Sequence, residues 1–314
     1  MKKTLLSGIK PTGLSHIGNY FGMMKQCIDL QDKYDENYIF VPDYHSLNHI
    51  QNANELRGLV MDIVIDYLAI GVNVKKSTVF KQSDVSAHTE LAWIFDTITT
   101  MPYLMRAHAF KDAEAKDKEI SVGTFNYPML MAADILLYDT DIVPVGQDQK
   151  QHIEYTRDTA QKFNNIFGET FKLPDALILD TVAVVPGTDG RKMSKSYGNT
   201  IPLFASREEI IKGVMSIVTD SGGDIPINVY NIHKLLKSES EIKQIYDENK
   251  GKYKILKEAL IEDLDNFIKP IRENRAKIVQ NIDMVKEILV QGAIKANEKA
   301  NAKLLTVKKN IGVI

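Results

Sequence analysis

The first half of the chain alternates short apolar runs with longer segments of helical periodicity, and this pattern constrains the fold more than any other feature. Residues 4–9, Thr-Leu-Leu-Ser-Gly-Ile, read as a buried strand, and the apolar spacing through Cys27, Ile28 and Leu30 reads as a helix. Tyr38 to Val41 is a second strand, closed by Pro42-Asp43-Tyr44-His45; Glu55 to Ile70 is a second helix, ended by Gly71. Thr78 to Phe80, the helix from Glu90 to Thr99, the strand 141–146 and the helix opening at 147–154 and stopped by Gly168 continue the series. Alternating strands and helices predict an α/β fold with a parallel sheet, whose ligands sit beyond the carboxyl ends of the strands. That topology places His16, Asp43, His45 and Gln82 around one crevice.

After residue 202 the pattern changes. Ser206-Arg207-Glu208-Glu209 has the form of a capping box, and from there helical signals dominate up to a long final helix through Val285, Leu289, Ala296 and Val307. Gly292 in that helix fits a place where a neighbour packs closely. The expected organisation is therefore an α/β domain over 1–202 and an all-α domain over 203–314, in keeping with about two domains for 314 residues. Lys252, Lys254, Lys257, Lys295, Lys299 and Lys303 are spread among acids there and read as a solvated face.

Composition excludes several classes. A formal net charge of -2 gives no global field for nucleic acid, so such a partner needs local lysine clusters. The one cysteine, Cys27, excludes an internal disulfide and a thiolate metal cluster, and the 7 histidines show no paired ligand spacing. No apolar run reaches the about 18 residues that span a membrane, and the N-terminus meets Gly8 and Pro11 too early for a signal peptide, so a cytoplasmic protein is expected.

Four stretches carry chemistry. Lys10-Pro11-Thr12-Gly13-Leu14-Ser15-His16-Ile17-Gly18-Asn19 follows a strand and opens a helix, the geometry that brings phosphate to backbone N–H groups. Taken alone, His16 reads first as a surface histidine at a helix start. Tyr127 to Tyr138 begins with a proline suited to a helix N-terminus and is almost wholly apolar apart from Asp134, which either caps something structural or meets a ligand. Asp148, Gln149 and His152 project from a helix start, where Asp148 alternatively complements the helix dipole. Arg191-Lys192-Met193-Ser194-Lys195-Ser196, after the turn Pro186-Gly187-Thr188-Asp189-Gly190, is a cationic loop suited to polyphosphate, although a short basic run is more often a solvated face.

Together these residues resemble the class I aminoacyl-tRNA synthetases, and more narrowly the bacterial-type tryptophanyl-tRNA synthetase family. His16-Ile17-Gly18-Asn19 is similar to the family's first ATP motif, and Lys192-Met193-Ser194-Lys195-Ser196 to its second. Met131-Ala132-Ala133-Asp134, residues 141–152, Val218-Thr219-Asp220-Ser221 and 292–296 extend the resemblance nearly end to end. It implies a Rossmann-type catalytic domain with a helical domain that grips the tRNA anticodon, a homodimer, and ATP with Mg²⁺ held mainly by substrate oxygens. By resemblance, His16, Lys192, Ser194 and Lys195 serve catalysis, and Lys10, Thr12, Gly18, Asn19, Gly146, Asp148 and Met193 contact ATP. Asp134 then accepts the indole N–H, Met131, Leu6 and His45 surround the ring, and Tyr127 and Gln149 hold the ammonium group. Lys111 is a candidate for the triphosphate.

The sequence departs from the pattern at Asn19, which replaces a second histidine, and at Tyr197-Gly198-Asn199, which replaces an Asp-rich continuation. Asparagine is familiar at the first of these positions. The alternatives are a tyrosine–tRNA ligase, opposed by the 131–134 and 148–152 segments, and a noncatalytic RNA-binding or regulatory paralogue, for which an intact pyrophosphate clamp has no use.

Overall fold

The computed structural model describes residues 2–11, 13–115, 119–146, 149–178, 184–219 and 223–314. Among these, five parallel strands, β1 (Thr4–Gly8), β2 (Glu36–Val41), β3 (Ser77–Lys81), β4 (Ile142–Pro144) and β5 (Asp175–Leu177), form one sheet in the order β3-β2-β1-β4-β5. The period of two sorts the strand residues onto two cores. Ile39, Val41 and Val79 face one, while Tyr38, Phe40 and Phe80 face the other.

Helices cover both faces. The first carries α1 (Ile17–Asn19), a π turn over Tyr20–Met24, α2 (Lys25–Leu30) and, beyond α3 (Asp43–Ser46), α4 (Ala53–Ala69). The second carries α5 (Ala87–Ile98), then α8 (Val122–Leu136) and α9 (Lys150–Phe167), with α6 (Met101–Leu104) and α7 (His108–Ala115) between α5 and α8. Gly168, at φ 93, closes α9 as its position foretold.

The helical segment begins with α10 (Arg207–Met215), where Ser206 and Glu209 form the expected capping box. It continues through α11 (Ile227–Leu236), α12 (Glu239–Glu248), α13 (Tyr253–Val279) and α14 (Ile282–Asn310). Ile210, Val229, Leu260 and Leu264 join the first core, so that core runs unbroken from the sheet into these helices. α14 starts in the same core at Val285 and Leu289 and ends in the second at Ala300, Leu304 and Val307. It passes over edge strand β3 at Gly292, where an added Cβ would lie 1.8 Å from the Val79 carbonyl oxygen. The absence of a side chain there lets a helix cover an exposed strand edge. Gly292→Ala is expected to cost about 1–3 kcal/mol by overpacking. Thermal unfolding measures it, and an unchanged Tm would mean that α14 can lift off β3.

Two expectations need correction, and one strand was not foreseen. Pro128 does not start its helix: Ser121 caps α8 by accepting from Thr124 N at 3.1 Å, and Pro128 lies inside. Proline denies one carbonyl its donor, but the burial of Met129, Ala132 and Ala133 holds the helix together. Nor are all six lysines solvated. Lys257 is 9% exposed and donates to Met215 O and Ile217 O, neutralising the carboxyl end of α10; Lys303 pairs with Asp139 and donates to Thr170 O. Strand β5, the 3 residues directly after Pro174, is too short to show a period.

Candidate active site

A cleft of about 1210 Å³ opens at the carboxyl ends of β1 and β4, where chain connections depart to opposite sides of the sheet. It exceeds the roughly 300–1,000 Å³ usual for one small ligand and suits two together. Lys192, Lys195, Ser194 and His16 line it, as do Lys10, Gly18, Asn19, Gly146 and Met193, and also Asp134, Met131, Tyr127, Gln149, His45 and Leu6. Thr12, Asp148, Asp220 and Ser221 lie outside the described residues. Asp43 turns away from the cleft: it accepts from Ser83 N at 2.9 Å and from Ser83 Oγ, tying the end of β2 to the turn after β3. Lys111, on α7, does not line the cleft either.

At the apolar end, Tyr127, Met131 and Asp134 recur at intervals of four and three and so share one face of α8. Asp134 is 1% exposed. Its Oδ1 accepts from Gln82 Nε2 at 2.7 Å and lies 2.6 Å from His88 Nδ1, while Oδ2 lies 2.9 Å from His45 Nε2. Burial pushes this carboxyl up, but the hydrogen bonds from His45 and His88 prevail and hold it at about 2, so it is ionised at neutral pH. Three donors occupy three of about four lone-pair sites, which leaves the carboxylate able to accept one more N–H. Because a carboxylate only accepts, His45 presents Nε2–H to it, and its buried Nδ1 has no partner among the described residues.

Reading the sequence missed His88, which is fully buried and reaches Tyr138 OH at 2.8 Å through Nε2. The available signal was its spacing: His88, Leu91, Ala92 and Phe95 form the buried stripe of α5. At the rim, Tyr127 OH bonds His152 Nε2, and Lys10 Nζ lies 5.4 Å from the Tyr127 ring centroid.

At the other end the two basic motifs meet. His16 caps α1: its Nδ1 accepts from Asn19 N at 3.3 Å, and Asn19 Oδ1 accepts from His16 N at 3.1 Å. Asn19 thus completes a capping box and keeps its Nδ2 as a donor. An accepting Nδ1 leaves the ring proton on Nε2. Ile17 N donates to Ile201 O at 3.1 Å and Leu203 N to Ser15 O at 2.9 Å, so the first motif is laced to the chain just beyond the second.

Asn199, 2% exposed, organises the 186–199 loop. Its Oδ1 accepts from Ser194 N at 2.8 Å and its Nδ2 donates to Asp189 Oδ1 at 2.6 Å and Lys192 O at 3.2 Å. A Cβ on Gly187 would come within 2.1 Å of that amide nitrogen, so glycine is what admits it. Met193 buries its side chain in the core, and Lys195 Nζ donates to Gly13 O at 2.8 Å. The loop is anchored on both sides while its ammonium groups face the cleft.

Burial and the nearby Lys195 charge lower His16 to about 4, so it is a neutral donor at pH 7. Its folded pKa lies below the ordinary 6.5, so protonation opposes the fold. Relative to His16→Gln, the wild type should lose stability as pH falls from about 6.5 to about 4 and show no difference in slope above 7. Melting curves across that range test this; parallel curves would mean that His16 is solvated.

The model of the tRNA synthetases class I (W and Y) family matches residues 2–270. The tryptophan–tRNA ligase of Fusobacterium nucleatum is 46% identical over 99% of this chain and 98% of its own length. That of Rhodopirellula baltica is 43% identical over 98% and 99%, respectively. The crystal structure of the Campylobacter jejuni tryptophanyl-tRNA synthetase complexed with ADP and tryptophan superposes with a TM-score of 0.91 at 42% identity, covering 98% of this chain and 99% of that one. With the cleft and both basic motifs in place, this chain belongs to the class I tRNA synthetases of the tryptophan and tyrosine group, in their tryptophan–tRNA ligase branch.

Proposed function

We propose that this chain activates tryptophan with ATP and transfers it to the terminal ribose of its tRNA. The observation that carries this reading is one cleft with a buried, ionised Asp134 at its apolar end and the Lys192/Lys195 loop at the other. Asp134 accepts the indole N–H, with Leu6, Met131 and His45 as walls, and Tyr127 and Gln149 hold the ammonium group. This aims the substrate carboxylate at the nucleotide. Its oxygen attacks the α-phosphorus, the bond to the β-phosphate oxygen breaks, and pyrophosphate leaves with the electron pair.

The protein forms no covalent bond in this step, so it contributes positioning and charge stabilisation. Lys192, Lys195 and Ser194 follow the departing pyrophosphate; His16 Nε2–H and Asn19 donate to the phosphate and ribose side, and Lys10, Gly18, Gly146 and Met193 complete the nucleotide's surroundings. Thr12 and Asp148 are assigned to ATP from the motifs alone. Among the described lining residues the only carboxylate is Asp134, already bound by three donors, so a Mg²⁺ ion would be held mainly by substrate oxygens and would supply charge neutralisation when bound.

Residues 203–314 grip the tRNA anticodon and the 1–202 unit performs the chemistry, in a cytoplasmic homodimer. Charge reversal for tRNA binding belongs at exposed Lys252, Lys254 and Lys295, because Lys257 supports the fold. The test of the central reading is ATP–pyrophosphate exchange with tryptophan, with tyrosine and with no amino acid. Exchange dependent on tryptophan supports it. Exchange with tyrosine alone would overturn the pocket assignment, and none with any amino acid from a folded, tRNA-binding protein would favour a regulatory role.

A further inference from the structure

Beneath the nucleotide end of the cleft lies a partly buried ionic chain, centred on a buried carboxylate, that takes no part in the chemistry above. Asp66, on α4 and 2% exposed, accepts from Ser15 Oγ at 2.6 Å through Oδ2 and from Arg275 Nε at 2.7 Å through Oδ1. Arg275 comes from α13, 209 residues away, donates its other arm to Asp62 at 2.7 Å and stacks 5.2 Å from the Phe204 ring centroid. Ser15 is itself 4% exposed and immediately precedes His16, and its carbonyl oxygen receives Leu203 N.

Such a pair contributes little net stability, because desolvation of the buried carboxylate and the partly buried guanidinium offsets their attraction. Geometry is what it specifies. A carboxylate with one oxygen on the first ATP motif and the other on a helix of the C-terminal segment fixes those two elements relative to each other. Asp66 also bears on the second motif, since its negative charge raises Lys195 against the lowering effect of burial.

We propose that Asp66 is a positioning residue for ATP: it seats Ser15, and through it His16, and Arg275 carries the placement of α13 into that seat. This rests on the ATP-dependent reading above, but it concerns the nucleotide alone, so binding without amino acid tests it. Calorimetry with Mg-ATP on wild type, Ser15→Ala and Asp66→Asn, alongside melting curves, separates positioning from stability. Ser15→Ala, which leaves the ion pair intact, should weaken ATP binding about tenfold, the scale of one hydrogen bond to a charged group.

In exchange assays, KM for ATP should rise while KM for tryptophan stays within about twofold. Asp66→Asn should act in the same direction, and in the Ser15→Ala background its effect on ATP should largely vanish because both act through one contact. Equal ATP affinity in wild type and Ser15→Ala, with only a lower Tm in Asp66→Asn, would overturn the proposal. Absence of tryptophan-dependent exchange in the wild type would count against the ligase reading, and the calorimetric comparison would still decide the role of Asp66.

Discussion

Asp134→Ala is expected to lower kcat/KM for tryptophan in ATP–pyrophosphate exchange by roughly 10³-fold while ATP affinity changes by no more than about twofold. The size follows from what the substitution strands. Gln82 Nε2 and the ring nitrogens of His88 and His45 lose their common acceptor where all three side chains are buried, and on the proposed pocket the indole N–H loses its partner too. Asp134→Asn retains the volume but trades an acceptor for a donor facing other donors, so it should resemble the alanine variant more than the wild type.

A sharper measurement compares tryptophan with 3-benzothienylalanine, which has the same shape without the N–H. A site built to receive that proton should discriminate by on the order of 10⁴, and the preference should collapse in Asp134→Ala. An equal loss of ATP and tryptophan affinity would show that Asp134 serves the fold and not the amino acid.

Lys195→Ala should reduce kcat for exchange by about 10²–10³-fold with little change in tryptophan KM, the effect of removing one preorganised charge from a developing anion. The structure supports a loss confined to kcat. Lys195 Nζ donates to Gly13 O, but Asn199 and the buried Met193 fix the loop backbone independently of it, so the variant loses charge without losing the loop's path. Lys195→Arg keeps the charge but not the compact ammonium, and should recover part of the rate. If tryptophan KM rose as steeply as kcat fell in single-substrate titrations, Lys195 would be holding the cleft together.

Much of this protein was legible wherever the cause is local. Ser206 and Glu209 announce a helix start because both hydrogen bonds close within four residues. Gly168 announces an end because a single φ decides it. The alternation of Tyr38, Ile39, Phe40 and Val41 foretells a strand buried on both faces. Both basic motifs could be recognised for the same reason, since each is a contiguous run whose residue types carry its chemistry.

Legibility failed where distant segments decide. Nothing near Pro128 says that Ser121 will cap the helix earlier, or that burial will hold a proline inside it. Lys257 looks like any surface lysine until α10 ends against it. Asp43 sits at a strand end as a ligand residue would, yet its oxygens are taken by Ser83.

Neighbours along the chain were enough to set the alternating α/β pattern, the helical C-terminal segment and the two motif runs that line the cleft. Periodicity, capping and motif identity are properties of neighbours along the chain. Only the tertiary structure decided what Asp134 is. Its three donors lie 46, 52 and 89 residues away and converge only because β2, β3, α5 and α8 pack around one point. The same holds for Gly292 beneath Val79 and for Arg275 reaching Asp66 across 209 residues. A hydrogen bond between distant segments leaves no period in either of them; its partners can be named only once packing has brought them within 3 Å.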